Sequence, residues 1–91
     1  DLEEVQRHIA EGRPVIASIR AREGDLRGAP YRTTGGHLIV ITGFDAQGDV
    51  HVNDPAAADP ARGIVTYARE DMQRVWLERG GLGYLLDPPT P

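Results

Sequence analysis

Two apolar runs joined by a four-residue turn constrain this chain more than any other feature. The first is Thr33-Thr34-Gly35-Gly36-His37-Leu38-Ile39-Val40-Ile41-Thr42-Gly43-Phe44, the second is Asp49-Val50-His51-Val52-Asn53, and Asp45-Ala46-Gln47-Gly48 lies between them. β-Branched residues bounded by Gly, Asp and Asn at this spacing predict an antiparallel hairpin. Antiparallel partners run back past one another, so His37 near the start of one strand and Asp54 just after the other meet at one edge. A carboxylate beside an imidazole fixes its tautomer and stabilises the imidazolium, which is half of a nucleophilic constellation. The same pair also serves as a satisfied structural histidine, and the residues alone leave both readings open. Gly35 and Gly36 either clear space beside the ring or make the turn into the strand.

Around this hairpin the rest of the chain lays out in order. Asp1 with Glu4 three residues on is a capping-box start, and Leu2, Val5 and Ile9 share one face of a helix of about three turns. Glu11-Gly12-Arg13-Pro14 stops it. Val15–Ile19 is a largely apolar strand, expected to be covered on both faces if it is central. Residues 21–32 read as a polar loop arriving at the His37 edge, with Tyr31 and Arg32 as candidate contacts. Residues 55–63 form a turn-rich connection, 64–67 a short strand, and 69–79 a second helix that buries Met72, Val75 and Trp76 and stops at Gly80-Gly81. Tyr84-Leu85-Leu86 closes the sheet, and 87–91 is a Pro-rich tail or linker. This order predicts an α+β fold with a mainly antiparallel sheet and flanking helices over residues 1–86.

Charge and composition exclude several function classes. A formal charge of -4, a pI near 5.2 and no basic run argue against a nucleic-acid partner. No apolar stretch is long enough for a membrane helix, and no signal peptide is present. The chain opens on a helix without an initiator methionine, so it reads as a segment cut from a longer sequence. There is no cysteine, hence no disulfide and no thiol nucleophile within it. Ser18 is the only serine, but a nucleophile needs a sharp turn or helix start, and Ser18 lies within a strand. A metal site from His37, His51 and Asp54 is disfavoured because alternation turns His51 away from Asp54; no cofactor is expected. His8 is expected on the surface.

Helix-Gly12-Arg13-Pro14-Val15-Ile16-Ala17, then Gly35-Gly36-His37 opening an apolar strand, then Val50-His51-Val52-Asn53-Asp54-Pro55, resembles the C-terminal half of the papain-like cysteine peptidases of the bacteriocin-processing, double-glycine-leader type. The likeness spans about residues 2–86. It implies a papain-like half-domain in which His37 is the general base, Asp54 orients it, and Gly35 and Gly36 line the substrate path. It also implies a nucleophilic cysteine on an upstream helix, so these 91 residues alone would be inactive. The implied partners are a peptide or protein substrate and the missing N-terminal half, with self-association through the uncovered sheet if that half is absent. An extracytoplasmic location follows from the likeness alone. Two alternatives stand beside it: a non-catalytic peptide-binding module on the same fold, and a transglutaminase-like acyl transferase. The second is weakened because Ile39 stands where such domains carry an aromatic.

Overall fold

A computed structural model describes residues 1–29, 33–55 and 64–85. Tyr31, Arg32 and the 87–91 tail lie outside the described residues, as does the domain boundary at 86. The elements are α1 (Leu2–Ala10), β1 (Val15–Ala21), β2 (Thr34–Phe44), β3 (Val50–Asn53), β4 (Ile64–Tyr67), α2 (Arg69–Val75) and β5 (Gly83–Leu85). The result is the α+β fold expected, with five antiparallel strands in the order β4-β3-β2-β1-β5. From β1 the chain walks outward through β2, β3 and β4, and then α2 returns it so that β5 closes the far edge beside β1.

Local chemistry accounts for the first helix. Asp1 Oδ1 accepts the Glu4 backbone N–H at 2.8 Å, satisfying a donor that the first turn leaves orphaned. At the other end Gly12, with φ 80°, allows the Gly12 and Arg13 N–H groups to donate to Ile9 and His8 carbonyls at 3.0 and 2.9 Å, a Schellman stop. The helix is nine residues long, somewhat shorter than three turns. His8 is half-buried rather than on the surface, and its Nδ1 is enclosed.

β1 departs from the expected double-sided burial. Val15, Ala17, Ile19 and Ala21 are buried, while Ile16, Ser18 and Arg20 are partly or fully exposed. The reason is that both helices pack on one face only. That face collects Ile39 and Ile41 of β2 and Val50 and Val52 of β3, with Leu2, Val5, Met72, Val75 and Trp76 from the helical layer. Each fully buried aliphatic side chain contributes about 1.5–3 kcal/mol. The opposite face is open, and Leu38, Ile64 and Tyr84 are each more than half exposed.

α2 is shorter than the sequence suggests. It ends at Val75, Trp76 turns the chain, and a single 3-10 turn, Leu77–Arg79, runs into Gly80 at φ 108°. Trp76 is pulled toward the sheet edge, where its indole N–H donates to the Leu82 carbonyl at 2.8 Å. A Cβ on Gly83 would stand 2.9 Å from the indole Cζ2, so only glycine admits that packing. The N-terminus of α2 has no side-chain cap of its own; the Arg69 N–H donates to Asp49 Oδ1, at 3.0 Å, from the β2–β3 turn. The Arg69 guanidinium meets the Gly48 carbonyl at 3.1 Å and Gln6 Oε1 at 3.2 Å, tying this turn to both helices.

Candidate functional site

The hairpin register decides which side chains meet. Ile41 opposes Val52, and both are fully buried, so this pair marks the helix-covered face. Counting by twos, His37 and Asp54 stand on that same face near the end of the β2–β3 ladder. His37 Nε2 lies 2.7 Å from Asp54 Oδ1. An ionised carboxylate only accepts, so Nε2 carries the hydrogen and exchange with another group runs through Nδ1. Asp54 is 1% exposed, whereas the His37 side chain keeps about a fifth of its surface. The ring therefore joins a buried carboxylate to the outside.

A third residue completes this arrangement. Tyr67, at the end of β4, is fully buried, and its hydroxyl donates to Asp54 Oδ2 at 3.0 Å. One carboxylate oxygen thus faces the imidazole and the other a phenol, which prevents Asp54 from rotating away. Sequence reading found the imidazole and the carboxylate but missed Tyr67. Its position in β4 carried no signal, because the contact depends on how far a side chain crosses the face of the sheet.

Gly35 and Gly36 occupy a bulge. Ile19 pairs with His37 and Ala21 with Thr34, so Arg20 alone faces both glycines. Such a bulge re-aims the strand immediately before His37. Neither glycine would bring a Cβ within 4 Å of any atom, so both leave space beside the imidazole. A second bulge at Thr42 shifts the phase of β2 and returns Phe44 to the covered face opposite Val50.

Other candidates fall away from this centre. Ser18 opposes Leu38 and is offset by one residue from the Ile19–His37 pair, which puts it on the opposite face from His37. His51 also lies on the open face, where its Nδ1 is 3.1 Å from Thr66 Oγ1, so it does not join His37 and Asp54. Among the described residues, no group of three or more His, Cys, Asp or Glu side chains could hold a metal ion. No described helix is long and apolar enough to cross a membrane.

The loop after β1 is pinned from the helical layer. Asp71, 2% exposed, accepts from the Arg27 backbone N–H at 3.1 Å and Nε at 2.9 Å through Oδ2, and from Arg27 Nη2 at 3.2 Å through Oδ1. Burial pushes its carboxyl pKa up, but the Arg27 hydrogen bonds and nearby guanidinium charges outweigh this and hold it below the ordinary value. Arg74 reaches the Asp25 carbonyl at 3.1 Å, and Arg79 pairs with the Asp25 carboxylate at 2.7 Å. First-turn Asp71 reads in sequence as a favourable helix-dipole charge; in the fold it is a buried anchor for the segment leading toward His37.

Residues 1–84 match the family model described as the Peptidase_C39 like family. Comparison with curated proteins and with solved structures yields no match.

Proposed function

We propose that this chain, which belongs to the Peptidase_C39 like family, supplies the imidazole and carboxylate of a cysteine-peptidase site, as the C-terminal part of a papain-like domain. The carrying observation is the 2.7 Å contact between His37 Nε2 and an Asp54 carboxylate that is almost wholly buried. His37 is the general base and acid through Nδ1, Asp54 holds its tautomer, and Gly35 and Gly36 leave the approach open for a peptide. The 91 residues contain no cysteine, so the thiol comes from another segment, and the chain alone is inactive.

The chemistry follows from these positions. A cysteine at a helix N-terminus beside Nδ1 gives up its proton to His37 and forms a thiolate-imidazolium pair. The thiolate attacks the peptide carbonyl carbon, and the imidazolium returns the proton to the leaving amine as the C–N bond breaks. Water then opens the thioester, with His37 taking its proton. Asp54 remains ionised throughout and keeps Nδ1 aimed at the reacting atoms.

The test is alkylation of the cysteine in the complete domain between pH 5 and 8, with and without His37→Ala. Thiolate reactivity well below the ordinary thiol pKa of about 8.5, lost in the variant, is the expected result. Reactivity indifferent to His37 refutes the assignment. The absence of cysteine from the chain favours a second reading in that event, a peptide-binding module that keeps the His37 face without chemistry.

A further inference from the structure

Beside the candidate site, where the β1–β2 ladder ends, lies a cleft of about 510 Å³ lined by Arg20, Arg22, Thr33, Thr34, Gly35 and Arg79. Its charge is opposite to that of the whole chain, which is formally -4. Arg79 is paired with Asp25 at 2.7 Å and also donates to the Arg20 carbonyl at 2.8 Å, which fixes its guanidinium against the cleft. Arg20 and Arg22 are exposed, and neither side chain forms an ion pair with a described residue. Three guanidiniums against the one Asp25 carboxylate leave a surplus of two positive charges. Glu23 is exposed and is not part of the lining. The Thr33 and Thr34 hydroxyls add neutral donors, and Thr34 Oγ1 accepts the Gly36 N–H at 3.3 Å, which holds it at the wall.

This cleft communicates with His37 along the strand. Between Thr34 and His37 stand only Gly35 and Gly36, where added Cβ atoms would meet nothing within 4 Å. At about 3.3 Å per extended residue, the cleft lies roughly 7–10 Å from the imidazole.

We propose that the cleft is a carboxylate subsite, which takes an acidic group of a peptide laid along Gly35 and Gly36, two or three residues from the bond presented to His37. This deepens the peptidase reading and rests on it for the identity of the reacting bond, but binding itself needs no chemistry. Guanidiniums suit a peptide carboxylate because their paired N–H donors match its two oxygens. The carboxylate source is either an acidic side chain or a chain terminus, and the experiment separates the two.

The test uses this chain and three synthetic hexapeptides, followed by backbone amide and arginine Nε–H shifts in NMR titrations. The first is acetyl-Ala-Ala-Glu-Ala-Ala-Ala-amide, the second its Gln counterpart, and the third the Gln peptide with a free C-terminal carboxylate. Saturable shifts confined to Thr33–His37, Arg20 and Arg22 with the first peptide, and none with the second, are expected. A response to the third alone assigns the subsite to a chain terminus and still supports the proposal. Arg20→Gln with Arg22→Gln is expected to weaken binding about fivefold to tenfold, since each is an exposed pair, and raising salt should weaken it further. Both arginines are exposed, so the fold should survive, and an unchanged amide spectrum elsewhere verifies this. Arg22→Glu is expected to transfer preference to a Lys peptide. Equal response to the Glu and Gln peptides, no response to any peptide, or indifference to both arginines overturns the subsite. His37→Ala should leave binding intact. Carboxylate-selective binding that persists while the complete domain shows no His37-dependent thiol therefore refutes the peptidase reading and not this one.

Discussion

Tyr67→Phe isolates the contact on which the geometry of the site depends. The substitution removes one oxygen and keeps the ring, so the buried volume at this position is nearly conserved and no cavity term enters. What disappears is the 3.0 Å donation to Asp54 Oδ2. A hydrogen bond to a charged acceptor contributes about 1.5–3 kcal/mol, a sizeable share of the roughly 5–10 kcal/mol that stabilises a domain of this size. With a urea slope of about 1 kcal/mol/M, the unfolding midpoint should fall by about 1.5–3 M. In a thermal melt each kcal/mol corresponds to about 4–8 °C. His37 ring resonances should broaden or shift, because the carboxylate can then rotate away from Nε2. A cycle with Asp54→Ala decides the cause: in that background Tyr67→Phe should be nearly silent, with a coupling energy of about 1–2 kcal/mol. A midpoint loss below about 0.5 kcal/mol, or the same loss with and without Asp54, refutes the claim that the phenol holds the carboxylate.

Asp71→Asn should destabilise the chain by about 1.5–3 kcal/mol at pH 7; the estimate stays modest because Arg27 and Arg74 are largely solvated and rehydrate once released. The Asp71 pKa is depressed on folding, so its stabilisation is complete above the unfolded value of about 3.9 and is lost as pH falls through the lower folded value. Urea midpoints of the two proteins should therefore converge below about pH 4, and a pH-independent gap contradicts the ion-pair account. Gly36→Leu should leave the melting temperature almost unchanged, since a Cβ there meets nothing within 4 Å, yet lower kcat/KM of the complete domain about tenfold or more by obstructing the approach to His37; unchanged kinetics would remove Gly36 from the substrate path. The open sheet face carries the directly opposed row Tyr84, Ile16, Val40, Asn53 and Ile64, and a second copy is the expected cover for it in the isolated chain. Gel filtration should show concentration-dependent association, and a monomer at every concentration excludes it.

Short-range chemistry was legible in the residues themselves. Period-two alternation of Ile39 and Ile41 against Val50 and Val52 set the hairpin and its buried face, and with it the meeting of His37 and Asp54. Asp1 and Gly12 marked the ends of α1 because caps and left-handed stops act within a few residues of backbone. What stayed illegible came from contacts between distant segments. The cap of α2 is Asp49, twenty residues earlier, and Asp71 anchors Arg27 across forty-four. The Gly35–Gly36 bulge exists only against Arg20 of a neighbouring strand. Ser18 was set aside for lying within a strand, but only pairing showed that it faces away from His37. The hydroxyl of Tyr67 on Asp54 depends on where β4 lies beside β3, and strand order is set by packing over the whole sheet. Local propensity and period therefore determined the elements and the imidazole–carboxylate pair. Tertiary packing decided what holds that pair, because a hydrogen bond between distant residues forms only where the fold brings donor and acceptor within about 3 Å.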